Sequence, residues 1–289
     1  MQHRSHHSNA HVTISSNTLF HFTNSLEHVM NILERTFRPN LSLEDLSCLQ
    51  DGLKVAIPMV SFCDIPLSQT QTHMRFYGYY GIGLSKTWGQ KNGINPVLYA
   101  YKDSHLTVVL SKCFSWTHRK YLTDPFDDPE IAPELLAILA SANRLEKKDA
   151  IPGNQYQELW DQLLGIQCFI KPYEGAFSKG NQSFRNVRFY DEREWRFVPD
   201  LEGDLFNFLL DEDTFNNTET REKTNHELHT RSRISFKPND VKYIIVSREK
   251  EILPMIKGIE EIKGDRFTQN EIKLLSSKII SAEQIAKDF

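Results

Sequence analysis

Two acidic residues, spaced by two positions, are the first candidates for chemistry in this chain. Glu192 and Glu194 open a β-rich run, and in extended backbone residues two apart point to the same face. Carboxylates that share one environment tend to raise the pKa of one member, and a carboxylate beside the anomeric carbon of a sugar can stabilise developing positive charge. The alternative is an edge strand with ordinary ion pairs. The partners would then be Arg188, Arg193 and Arg196.

A histidine near the start of the chain supplies the second candidate group. His21 lies near the end of the first predicted strand, in the run LFHFT. Its ring has an unperturbed pKa near 6.5, so it can donate or accept a proton near neutral pH. Thr23 adds a hydroxyl on the same face of the strand. Together they could hold a ribose. The alternative is a partly buried histidine that is hydrogen-bonded near the start of the following helix.

Two more segments offer groups that could line a binding site. Ser61 lies with Cys63 on one face of a buried strand, and the run 77–84 alternates glycines with large residues, including Tyr77 and Tyr80. Glycine lets the backbone approach a neighbour closely, and tyrosine rings can stack on a flat ligand. The run lacks the glycine order of a dinucleotide fingerprint. Core packing and a tight turn explain both segments equally well.

The predicted elements indicate an α+β fold. A helix with one apolar stripe should follow the first strand, with Asn24 as its N-cap and Glu27 as the acid three residues on. The strands alternate with helices on no regular βαβ schedule, which argues against a doubly wound sheet. Strands are predicted at 18–23, 58–64, 97–101, 166–170, 194–198, 234–236 and 241–247. Helices are predicted at 26–37, 104–116, 132–145 and 270–286.

The chain divides into three predicted parts. Residues 1–17 should form a disordered tail, because they carry four histidines and no apolar segment. Residues 18–247 should form the α+β domain, with a helical insertion at about 104–165 and a mobile, highly charged excursion at about 205–232. Residues 248–289 should form a C-terminal helical segment.

Composition excludes several function classes. A mean hydropathy of -0.47 and the absence of a long apolar window predict no membrane span. A net charge of -4 gives no broad attraction for nucleic acid. Four cysteines without a C-x-x-C pair predict neither a disulfide scaffold nor a zinc ribbon, so we expect a cytoplasmic protein with no metal site.

Several of these stretches resemble the AbiGi abortive-infection family, a bacterial phage-resistance family sometimes described as the antitoxin half of a two-gene system. The resemblance spans residues 19 to about 246 and implies a cognate toxin or a phage protein as partner. The matching stretches are 19–23, 56–68, 77–86, 92–99, 171–175 and 190–196.

A looser resemblance, carried by the His21-x-Thr23 pattern, the helix after it and the run 95–99, is to ADP-ribosyltransferases such as the DNA-targeting toxins. It implies a split, mainly antiparallel sheet with flanking helices that grips NAD. By this likeness His21 would contact the nicotinamide ribose, Tyr80 would stack on the nicotinamide, and Glu194 would be the catalytic acid. The Glu192-x-Glu194 pair also resembles the biglutamate motif of arginine-modifying transferases, although those enzymes have arginine where this chain has His21.

The sequence therefore predicts an anti-phage protein that uses NAD as a substrate and modifies a protein or nucleic-acid acceptor. The catalytic candidates are Glu194, Glu192 and His21. The candidates for binding NAD are His21, Thr23, Ser61, Tyr77 and Tyr80. The alternative is a non-catalytic antitoxin or phage-sensing protein with the same fold, which would bind its partner through the C-terminal region 257–289.

Overall fold

Thirteen strands and ten α-helices make up the part of the chain that the computed structural model describes, residues 16–122, 153–179, 182–201, 204–262 and 267–288. The strands are β1 Thr18–Thr23, β2 Asn40–Asp45, β3 Lys54–Cys63, β4 Tyr80–Ser85, β5 Asn95–Pro96, β6 Leu98–Ala100, β7 Ile170–Pro172, β8 Gly175–Lys179, β9 Gln182–Val187, β10 Glu194–Phe197, β11 Leu210–Asp211, β12 Val241–Val246 and β13 Ile279–Ser281. The helices are α1 Leu26–Arg35, α2 Thr70–Tyr77, α3 Lys86–Lys91, α4 His105–Leu122, α5 Gly153–Gln167, α6 Glu212–Asn216, α7 Thr218–Arg231, α8 Ile252–Glu261, α9 Gln269–Ser276 and α10 Ala282–Asp288.

Nine of the strands form one sheet in the order β13-β12-β4-β1-β3-β10-β5, with β2 and β11 also paired to β3. All of these pairs are antiparallel except the parallel pair of β12 with β13. The predicted α+β class, with a mainly antiparallel sheet and flanking helices, is confirmed. Two small two-stranded sheets, β6 with β7 and β8 with β9, complete the strands described.

The sheet opens beside β3. β1 follows β4 along its whole length, but it meets β3 at one pair only, Phe20 with Cys63. The ten residues of β3 are long enough to pair also with β10 near its end and with β2 along its first part. A gap between β1 and the rest of β3 follows from this geometry.

Alternation along β1 builds a core on both faces of the sheet, because successive side chains of a strand point to opposite sides. Leu19 packs into one cluster with Val29 of α1 and Met255 of α8. Phe20 packs into the other cluster with Ile285 of α10. Helices therefore cover both faces of the strand that carries His21.

The C-terminal region is part of this core. We predicted one helix over 270–286, but the region contains α9, β13 and α10, and β13 extends the main sheet by pairing with β12. Leu275 of α9 and Ile285 of α10 are fully buried. The prediction missed β13 because three residues are too few for a period to be recognised.

The charged segment 205–232 is folded, which corrects the prediction of a mobile excursion. Asp211 and Asn217 cap α6 and α7 by accepting hydrogen bonds from backbone N–H groups. Leu228 of α7 is fully buried, and the Asn225 side chain accepts a hydrogen bond from the Leu41 N–H of β2. The prediction was wrong because a single buried leucine attaches α7, so the helix has almost no apolar periodicity.

Other boundaries also differ from the predictions. The N-cap of α1 is Ser25, not Asn24. Residues 166–167 belong to α5, and the strand begins at Ile170. No strand was predicted at β2, β8 or β9. The helix predicted at 132–145 and the tail up to residue 15 lie outside the described residues, and none of the helices that are described is both long and apolar enough to span a membrane.

Candidate functional site

A cavity of about 490 Å³ lies where β1 and β3 separate. Five of the seven predicted site residues line it, and they come from four parts of the chain: His21 from β1, Ser61 from β3, Tyr77 from α2, and Glu192 with Glu194 at the start of β10. The structure thus brings the predicted imidazole and carboxylate to one cavity.

A chain of hydrogen bonds through Ser61 connects the two ends of the site. The His21 Nδ1–H donates to the Ser61 carbonyl oxygen at 2.8 Å, across the gap between the strands. The Ser61 hydroxyl donates to Glu194 Oε1, also at 2.8 Å. His21 also packs against the rings of Phe37 and Phe62, with ring centroids 5.4 and 5.8 Å away. The ring is therefore held by both packing and hydrogen bonding.

Thr23 and Tyr80 do not join this cavity. They face each other across β1 and β4, and neither is among the residues that line it. Thr23 Oγ1 is hydrogen-bonded with His28 Nδ1 at 2.9 Å, and the Tyr80 hydroxyl donates to Glu251 at 2.8 Å. The two residues that shared a predicted binding role with His21 thus have structural partners elsewhere.

Glu194 lies in a buried ion-pair network that the sequence analysis did not assign to the site. Arg196 Nε donates to Glu194 Oε1 at 2.7 Å, and Lys171 Nζ donates to Oε2 at 2.7 Å. Arg196 is fully buried, and it also pairs with Glu44 and donates to the Cys168 carbonyl oxygen. Three carboxylates, those of Glu44, Glu192 and Glu194, thus surround two cations.

This network sets the ionisation of the site. Burial disfavours the charged form of Glu194, but Arg196 and Lys171 outweigh burial and hold the pKa of this carboxyl well below its usual value. Burial lowers the pKa of the His21 ring, although the hydrogen bond to Ser61 opposes this. We expected crowding of two acids to raise the pKa of one. For Glu194 the pKa shifts in the opposite direction, because Arg196 and Lys171 both bind its carboxylate.

Glu192 lines the cavity, but its backbone is not in the extended strand that we predicted. It ends a 3-10 turn, and Arg193 has a left-handed backbone with φ 47°, so the two glutamates do not lie on one continuous extended strand. Lys171 Nζ bridges them, because it lies 3.0 Å from Glu192 Oε2. The Tyr77 hydroxyl donates to Glu192 Oε1 at 2.6 Å. Tyr77 is thus a polar partner of Glu192 in addition to offering a ring.

Lys171 and Arg196 are the site residues that sequence reasoning missed. Arg196 entered only as an ion-pair alternative, and the ion pair with Glu194 is present. Lys171 sits in a stretch that resembled the AbiGi family, but nothing local marked it, because its role depends on where β7 lies relative to β10. Arg188, another of the three arginines considered, lies on the surface with Nη1 3.8 Å from Asp191 Oδ2.

The side chains that line the cavity suit a polar organic ligand with a flat apolar part. Charged groups, a hydroxyl and an imidazole lie beside the rings of Phe22, Phe177 and Phe189. In the described parts of the chain, no group of three or more histidine, cysteine, aspartate or glutamate side chains is arranged to hold a metal ion.

Fold and site together define an α+β protein with a charged cavity at an opening in an antiparallel sheet. The family model described as putative abortive phage resistance protein AbiGi, antitoxin, matches residues 36–247. The chain belongs to this family of abortive phage resistance proteins, as its sequence resemblance predicted. The abortive phage resistance protein AbiGi of Lactococcus lactis subsp. cremoris is 29% identical over 278 residues, which are 90% of this chain and 100% of that protein. No solved structure matches.

Proposed function

We propose that this member of the AbiGi family binds NAD in the cavity at the sheet opening and transfers its ADP-ribose group to an acceptor during abortive infection. The observation that carries the proposal is the hydrogen-bonded chain from His21 through Ser61 to Glu194. It joins the two groups to which the resemblance to ADP-ribosyltransferases gave roles in one site, His21 at the nicotinamide ribose and Glu194 as the catalytic acid.

The cavity suits such a ligand in size and in wall chemistry. Its volume of about 490 Å³ is in the range of small-molecule sites. His21 would contact the ribose, Ser61 would position Glu194, and Tyr77 would take over the ring contact first predicted for Tyr80. Thr23 has no part in this assignment, because its hydroxyl is bonded with His28.

The carboxylate of Glu194 would stabilise the positive charge that develops during the reaction. When the bond between the ribose anomeric carbon and the nicotinamide nitrogen breaks, the bonding electrons leave with the nicotinamide, and positive charge develops on the ribose. A carboxylate kept ionised by Arg196 can stabilise that charge. The acceptor oxygen or nitrogen then bonds to the anomeric carbon and releases its own proton to solvent.

One specific observation favours a second candidate function, a non-catalytic antitoxin with the same fold. Both oxygens of Glu194 are bonded to cations, so Lys171 would have to move before Oε2 could face a substrate. The description of the family model as an antitoxin points the same way. In this case the protein would bind a cognate toxin, and the buried charges would serve only the fold.

Radiolabelled NAD separates the two candidates. The purified protein is incubated with lysate and NAD labelled in the nicotinamide ring or in the adenylate, and free nicotinamide and labelled acceptor are both counted. The proposal predicts both signals, and Glu194→Gln should lower them by at least about a hundredfold, the usual cost of losing one preorganised electrostatic group. Ser61→Ala should lower them less.

The matched control is Glu222→Gln, which changes an exposed carboxylate on α7 and should leave both signals unchanged. Circular dichroism melting curves establish that each variant is folded. Absence of both signals in the wild-type protein, together with a stable complex with the product of a neighbouring gene, would favour the antitoxin.

A further inference from the structure

A second cavity, of about 440 Å³, lies next to the first. Its wall includes Tyr101, Asp103, Tyr173 and Glu174, and it shares Phe189 with the first cavity. The groups of the Glu194 network do not account for this combination of rings and carboxylates.

The tyrosines form an aromatic corner. The ring centroids of Tyr101 and Tyr173 are 6.1 Å apart, and the ring planes meet at 64°. Tyr190 stacks on Tyr173 with centroids 5.4 Å apart, so Tyr173 is held in place by a neighbouring ring. Tyr101 is 59% exposed. A flat group entering from solvent would meet ring faces that are already arranged.

The charge in this wall is unbalanced. The carboxylates of Asp103 and Glu174 form no hydrogen bond or salt bridge with the residues that the structure describes, and both residues are exposed. The cation in the wall, Lys102, is bound to Asp51 outside the cavity with Nζ 2.7 Å from Oδ1. Negative charge next to aromatic faces attracts a cation, because the ring faces are themselves electronegative.

These features select the chemical class of the ligand. A nucleotide would stack on the rings, but its phosphate would be repelled by Asp103 and Glu174. Among the described residues, no three metal-binding side chains converge in this wall. A guanidinium group is planar, stacks on aromatic rings and donates to carboxylates in a fork. It fits every feature of this wall.

We infer that the second cavity binds a guanidinium group, the side chain of an arginine that a partner protein presents. The volume exceeds that of one side chain, so backbone on either side of the arginine has room to enter. This inference does not depend on NAD chemistry in the first cavity.

The test uses the full-length protein and two small probes. N-acetyl-arginine methylamide and its uncharged isostere, N-acetyl-citrulline methylamide, are titrated in parallel and followed by saturation-transfer NMR. We expect the arginine probe to bind at least about tenfold more tightly, because only it forms charge-assisted hydrogen bonds. Added salt should weaken its binding.

Variants locate the binding. Glu174→Gln should weaken the arginine probe by about tenfold, and Tyr173→Leu should weaken it by about threefold through loss of the cation–π contact. Glu222→Gln, which removes an exposed carboxylate elsewhere, should change nothing. The inference is overturned if the arginine probe does not bind, if the citrulline probe binds as tightly, or if both cavity variants bind like wild type.

Discussion

At the scale of single residues, the site is organised by two cations that hold one carboxylate. Arg196 is fully buried and contacts both Glu194 and Glu44, while Lys171 lines the cavity and bridges Glu192 and Glu194. Taking charges out of water is costly, and removal of one partner leaves the others buried and uncompensated. The network should therefore matter far more to stability than a surface pair does.

Two arginine variants test this difference. Arg196→Met leaves Glu194 and Glu44 without their buried cation and should lower the free energy of unfolding by about 3–5 kcal/mol. Arg188→Met removes the same chemical group from an exposed pair with Asp191 and should cost under about 1 kcal/mol. Urea unfolding monitored by circular dichroism measures both. Equal costs would show that the buried network is not what Arg196 contributes.

The histidine of the site should make stability depend on pH. Burial lowers the pKa of His21 in the folded protein from its ordinary 6.5, so the unfolded chain binds a proton more readily than the folded one. The free energy of unfolding should fall as pH drops through about 6.5. His21→Gln should reduce this fall between pH 7.5 and 5.5, whereas His105→Gln, at an exposed position, should not. A wild-type slope retained in His21→Gln would contradict the assignment.

At the scale of elements, the opening between β1 and β3 creates the cavity, and tight packing holds β1 on its other side. Gly81 and Gly83 of β4 lie so close to β1 that a Cβ atom would come within 2.8 Å of the His21 carbonyl oxygen or the Phe20 ring. We predicted that this glycine run allows close approach. The part of the protein that approaches these glycines is β1.

Gly78, between α2 and β4, offers the sharpest test of this packing. It has φ 116°, and a Cβ atom there would lie 2.1 Å from the Thr23 carbonyl oxygen at the end of β1. Gly78→Ala should cost roughly 3 kcal/mol, from backbone strain and overpacking together. Gly93 also has positive φ but has open space around it, so Gly93→Ala should cost only about 1 kcal/mol. Thermal unfolding compares the two, and similar values would contradict the close contact.

The elements that could be predicted are those with a local pattern. β1 was predicted with the same bounds as in the structure, because its residues are β-rich and alternate. β2 was missed because four of its six residues, in the run NLSLED, are polar. Its strand conformation depends on pairing with β3, which the local sequence does not show. The apposition of Lys171 with Glu194 depends on how β7 and β10 are placed, and no local pattern contains that information.

The candidate site residues, like the elements, could be predicted where the local sequence has a pattern. Glu194 and His21 were proposed because each lies in a recognisable run, and both line the cavity. Tyr80 was selected for its ring alone, and its side chain is bonded to Glu251 at another place on the protein. A reactive residue type in a recognisable run thus indicates a candidate, but the register of the strand decides whether its side chain points into the cavity.

At the scale of the whole molecule, the C-terminal region is built into the sheet that carries the site. β13 extends the sheet, and α10 covers the face formed by Phe20 and Phe22. Leu253 of α8, in contrast, has a side chain that is largely exposed.

Two truncations to alanine separate these roles. Ile285→Ala removes a fully buried side chain and should cost about 2–5 kcal/mol of unfolding free energy. Leu253→Ala, where the side chain is 69% exposed, should change it by less than about 0.5 kcal/mol. Chemical denaturation gives both values. A negligible effect of Ile285→Ala would mean that the C-terminal region does not share the core.

The most direct test of the account is calorimetric titration of NAD into the wild-type protein, Ser61→Ala and Glu222→Gln. The Ser61 hydroxyl donates to Glu194, and Ser61→Ala removes this bond while keeping the backbone carbonyl that binds His21. We therefore predict saturable binding at one site in the wild type and in Glu222→Gln, and binding weakened by about tenfold in Ser61→Ala. No binding by the wild-type protein, or equal binding by Ser61→Ala, would contradict the claim that these residues form one site for NAD.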